Sequence, residues 1–77
     1  MNIDHREVQR IKDKYPSGTR IELVSMSGEV DMPRGLHGTV NFVDDIGQLF
    51  MTWDNGRSLA LIPDEDVFHV ISQPQQV

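Results

Sequence analysis

The spacing of apolar positions changes once along the chain, and the change divides it. From Val8 the apolar residues recur at Ile11 and Tyr15, three and four apart, which places them on one face of a helix. Asp4 sits where an N-cap belongs, with Glu7 three residues later as in a capping box. Pro16 stops the segment, because a residue preceding proline avoids the helical region. The pattern predicts a short amphipathic helix over residues 4–14, too short to persist alone in water, so its apolar stripe must dock.

After Pro16-Ser17-Gly18 the period becomes two. In TRIELVS, Ile21 and Leu23 share one face; in QLFMTWD, Leu49, Met51 and Trp53 do. HGTVNFVD, RSLALIP and VFHVI complete a set of five predicted strands. Val40 and Val43 both suit the core yet differ in parity, so a bulge near Asn41-Phe42 is expected to turn both inward. Asp44-Asp45-Ile46-Gly47 reads as a tight turn, with Ile46 able to fold inward. Asn55-Gly56 reads as a type I′ hairpin, and Pro63-Asp64-Glu65-Asp66 as one turn of 3₁₀ helix. Five short strands in this order favour closure on themselves. The fold class expected is mainly β: a small SH3-like five-stranded antiparallel barrel with a short N-terminal α-helix. Residues 1–16 form the helical segment packed on the barrel, 17–72 the barrel, and 73–77 a disordered polar tail.

Composition narrows the chemistry. Seventy-seven residues make one domain, and a chain this short buries only about 60% of its unfolded surface. There is no cysteine, which removes disulfides, thiolate metal sites and cysteine nucleophiles. That fits a reducing cytoplasm, the expected location, since the N-terminus carries charges where an export signal has its apolar segment. No apolar run is long enough for a membrane span. The net charge of −5 is uneven: residues 1–20 are net +2 and residues 21–77 net −7. So acidic a body repels phosphate, which disfavours direct nucleic-acid binding by the barrel. Arg6, Arg10 and Lys14 form a basic stripe on the helix, either a solvated face or a contact to phosphate or an acidic partner.

Trp53 shares parity with Leu49 and Met51, favouring the core over a stacking groove, with Asn55-Gly56 turning the chain and Asp54 accepting from turn amides. Adjacent Asp44 and Asp45 cannot make a calcium loop, and His5, His37 and His69 have no second ligand at useful spacing. No metal, no cofactor and no enzymatic constellation is expected. Phe50 faces away from Trp53, either covered by the helix or forming an apolar patch with Met26 or Met32.

The runs YPSGTRIELVSM, HGTV, VDDIGQLFMTWDNGRSLALIP and DVFHVI together resemble a family of short proteins of bacteria and their phages, known as a domain of unknown function. The resemblance spans residues 5 to 71 and implies an SH3-like small barrel in a phage or mobile-element setting, with no activity attached. The loop SMSGEVDMPRGLH lacks the paired aspartates and multiple prolines associated with that family.

The reading that results is a non-enzymatic adaptor or accessory module binding a protein partner, with homo-oligomerisation also open. Its expected surface is Met26, Met32 and Arg34 of the long loop, Asp44 and Asp45, Phe50, and Asp64, Glu65 and Asp66, gathered at one side. Nine acids in residues 21–77 suit basic or proline-rich segments. The alternative is a role in nucleic-acid transactions, through the basic helix or as an acidic DNA mimic.

Overall fold

A computed structural model describes residues 4–74. Helix α1 spans His5–Lys14. Asp4 caps it: its carboxylate accepts from the Arg6 N–H (2.9 Å) and the Glu7 N–H (3.4 Å). The reciprocal half of the capping box is absent, because the Glu7 carboxylate instead takes a hydrogen bond from Arg10 at 3.0 Å. Val8 is buried, and the Tyr15 ring meets Phe68 edge-on at 5.6 Å, so the apolar stripe does dock on the rest of the chain.

Four antiparallel strands follow: β1 (Arg20–Ser25), β2 (His37–Val43), β3 (Leu49–Trp53) and β4 (Val67–Ser72), in the spatial order β3-β2-β1-β4. The expected alternation holds in β1 and β3, where Ile21, Leu23, Leu49, Met51 and Trp53 are all buried. The register of β2 on β3 shifts between Val40 and Phe42. Val40 is fully buried and Val43 packs against the core, as the difference in their parity required.

The five-stranded closed barrel is not what forms: the described residues make four strands in an open sheet. The run 57–63 stays beside β3 but pairs with it only at its ends. Arg57 C=O accepts from Trp53 N–H, and Leu61 exchanges both backbone bonds with Leu49. Between those points the indole Nε1–H of Trp53 donates to the Leu59 carbonyl at 2.9 Å. A side chain thus takes the acceptor that a ladder there would use, and the fifth strand is reduced to one bridge.

Two turns share one geometry. Gly56 N–H donates to Trp53 C=O while Trp53 N–H donates to Arg57 C=O; Gly47, Asp44 and Gln48 repeat the pattern. Gly56 (φ 88°) and Gly47 (φ 85°) are left-handed, whereas Asn55 is not. These are three-residue loops closed by a glycine bulge, so the expected type I′ turn at Asn55-Gly56 is corrected. Asn55 contributes through its side chain instead, accepting from Arg57 N–H at 3.1 Å. Ile46 points outward and is exposed, against the expectation that it folds in. Pro63-Asp64-Glu65 is a hydrogen-bonded turn on the Ile62 carbonyl rather than a 3₁₀ helix. Of the expected tail, Pro74 lies over Gly18, and residues 75–77 lie outside the described residues.

The core holds Tyr15, Ile21, Leu23, Met32, Val40, Leu49, Met51, Trp53 and Leu61. Trp53 is its largest member at 1% exposure. No helix among the described residues is long and apolar enough to cross a membrane.

Candidate functional site

The loop between β1 and β2 and the turn between β2 and β3 lie at opposite ends of β2, roughly 20 Å apart for a seven-residue strand. The residues expected to form one surface therefore divide into two groups. At one end, the long loop is tied down from two directions. Asn55 Nδ2 donates to the Asp31 carbonyl at 3.0 Å, and Arg57 approaches the Asp31 carboxylate at 3.8 Å. Asp66 accepts from the Ser27 N–H (3.3 Å) and the Ile62 N–H (2.8 Å). Asp66 is buried and acts as a clasp; Met32 is buried in the core, and Met26 packs at its margin. Arg34 alone of the three named loop residues is exposed.

At the other end, the Asp44 carboxylate accepts from the Ile46 N–H and Gln48 N–H, holding the turn. Asp45 is exposed and pairs with Lys12 of α1 at 3.2 Å. Ile11 packs over Gly47, so the helix covers this turn and not Phe50. Asp64 and Glu65 are exposed. Asp64 and Pro63 face α1 across a cleft of about 380 Å³ walled by Arg10, Lys14 and Tyr15. The basic stripe is partly occupied: Arg6 lies 3.8 Å from Asp4 and Arg10 is paired with Glu7. Among the described residues, no three metal-ligating side chains converge.

Phe50 does face outward, but its neighbour is Phe42, not Met26 or Met32. The two rings stack across β2 and β3 at 4.7 Å with planes 5° apart. They are 54% (Phe42) and 36% (Phe50) exposed. Beside them Asn41 Nδ2 donates to Thr52 Oγ1 at 2.9 Å. The outward position of Phe50 followed from strand parity. That of Phe42 did not, because it depends on which residue the bulge displaces.

Asp54 was expected to accept from turn amides. Its partner is instead Arg20, which grips it with two parallel bonds of 2.9 and 2.7 Å and also donates to Thr39 Oγ1. The hydrogen bonds from Arg20 hold the Asp54 carboxyl below the usual carboxylate range; desolvation opposes this, and the charges of Arg20 and His37 add to it. The same bonds raise the Arg20 guanidinium above its ordinary value. A carboxyl lowered in the folded state contributes stability above its unfolded pKa, and loses that contribution as the pH falls through the folded value. The melting-temperature gap between wild type and Asp54→Asn is therefore expected in full above about pH 4 and to close below it. A gap independent of pH, followed by circular dichroism, removes this account of the pair.

Neither a curated protein nor a solved structure matches the chain. Residues 4–71 match the family described as domain of unknown function DUF4314, and the chain belongs to that family.

Proposed function

We propose that this chain is a non-enzymatic adaptor that binds a protein segment across the outer face of the β2–β3 hairpin. The observation that carries the reading is the stacked, exposed Phe42–Phe50 pair. A cross-strand aromatic pair needs no exposure to support a hairpin, and contributes only about 0.2–1 kcal/mol to it. Two rings held against each other at the surface lose little side-chain freedom on contact, which lowers the cost of binding. Such a step suits the flat, rigid face of a proline-rich segment. Three residues beyond Phe42 stands Asp45, exposed at the hairpin tip, so basic residues flanking the prolines complete the match.

The finer architecture belongs to the same proposal. The order β4-β1-β2-β3, continued by the Leu49–Leu61 bridge, runs as strands do in an SH3-like barrel whose penultimate strand is reduced to one contact. The family resemblance supports a phage or mobile-element setting, and the absence of cysteine supports a cytoplasmic one.

Screening against a display library of proline-rich and basic peptides tests the reading. Selected ligands are expected to lose about thirtyfold in affinity on Phe50→Ala, a change of hot-spot size, with the fold intact by circular dichroism. Reversing the exposed Asp45 to lysine is expected to shift selection away from basic ligands, with Asp44 left in place to hold the turn. Unchanged binding in both variants sinks the proposal.

A further inference from the structure

The two edges of the sheet are treated differently. Outside β3 lies the 57–63 run, bonded to it at Arg57 and Leu61. Outside β4 there is nothing: among the described residues its backbone bonds only to β1. Exposed edges are ordinarily blunted by lysine, proline or charge. The stretch Val67-Phe68-His69-Val70-Ile71 contains no lysine, arginine, acid or proline. Val67, Val70 and Ile71 are 53%, 36% and 45% exposed.

The sequence of this edge is the informative part. It reads apolar, apolar, histidine, apolar, apolar, the same in both directions about His69. A two-fold interface brings one surface against itself, so a self-complementary pattern is what it demands. In an antiparallel pair related by such an axis, facing residues have numbers of equal parity. Centring the axis on His69 satisfies this, setting His69 opposite its counterpart, Phe68 opposite Val70, and Val67 opposite Ile71. Every exposed apolar residue of the strand then meets an apolar one.

We infer that a second copy of this chain pairs with the free edge of β4, antiparallel and centred on His69. Charge agrees with this arrangement. The acidic Asp64-Glu65 turn precedes β4, and the antiparallel sense sets it beside the uncharged Ser72-Gln73 end of the other copy. The two acidic turns are thereby held about 20 Å apart. The register of β4 on β1 shifts around Ile71, which ends regular pairing there and keeps the new ladder short. The interface offered is the edge of one six-residue strand, short of the roughly 20–30 residues a side of a standard specific interface. The dimer is accordingly weak and concentration-dependent. This surface is separate from the Phe42–Phe50 face and does not depend on it.

The absence of cysteine makes the test clean. Facing residues of an antiparallel pair lie about 4.5–5.5 Å apart at Cα, within disulfide reach. H69C is expected to form a covalent dimer under mild oxidation well before D45C, which sits on the opposite hairpin tip. Sedimentation of wild type up to about 1 mM is expected to show a reversible dimer that V67K abolishes, with the V67K fold unchanged by circular dichroism. A monomer throughout, H69C no faster than D45C, or a dimer that survives V67K overturns the inference.

Discussion

Trp53→Ala is expected to remove a large share of the domain's stability at 25 °C. Truncating a buried aromatic costs about 3–5 kcal/mol in transfer energy and cavity. A chain of this length has a total stability of about 4–12 kcal/mol. Trp53 carries more than area: its Nε1–H satisfies the Leu59 carbonyl, in a run held to β3 otherwise only at Arg57 and Leu61. Removing the indole orphans that carbonyl and loosens the run that covers β3. Trp53→Phe separates the two contributions, since it keeps much of the apolar area and loses the donor, and it is expected to fall between wild type and the alanine variant. Urea titration followed by circular dichroism measures the series, because Trp53 is the only tryptophan and its fluorescence vanishes with it. An alanine variant within about 1 kcal/mol of wild type shows that the indole is not the centre of the core.

What could be read from the chain beforehand follows the range of the interactions involved. The helix, its Asp4 cap, the alternation in β1 and β3 and the bulge that lets Val40 and Val43 share a side are set by neighbours a few residues apart. Strand pairing of the 57–63 run looked equally local, and failed for a reason that is not: a side chain six residues back claims the Leu59 carbonyl. Spacing alone points Asp54 to its own turn, but Arg20 lies 34 positions away and offers a guanidinium fork that turn amides cannot match. Met32 and Asp66 stand in stretches that read as loop or turn, and only the tertiary fold makes one core and the other a clasp. The candidate surface was partly legible. Phe50 followed from parity, whereas its partner Phe42 waited on the bulge. The acidic segments were correctly seen as charged, yet composition does not say at which end of a strand each will stand.

Gly38→Ala is expected to be the most damaging single-methyl change in the protein, and its sign depends on Trp53. Gly38 pairs directly with Trp53 across β2 and β3. A Cβ placed there falls 2.5 Å from Cε3 and 2.9 Å from Cδ2 of the indole. Nothing in the sequence marks this glycine, since HGTV needs no turn, and its role exists only across the ladder. The indole has no room to retreat, being sealed within the core, so the backbone or the ring must shift. Overpacking of this kind costs about 1–3 kcal/mol. In an unobstructed strand the same change is expected to stabilise by about 0.5–1 kcal/mol, because glycine gives up more backbone freedom on folding than alanine. A Trp53→Phe background supplies that case, since phenylalanine lacks Cε3 and Cζ3, two of the three ring atoms that the new methyl meets. Gly38→Ala is therefore expected to destabilise wild type and to be neutral or stabilising in the Trp53→Phe protein, a coupling of about 2–3 kcal/mol in a double-mutant cycle. Equal costs in both backgrounds mean that the glycine answers to something other than the indole, and the close approach of β2 to Trp53 no longer explains why a residue without a side chain stands in the middle of a strand.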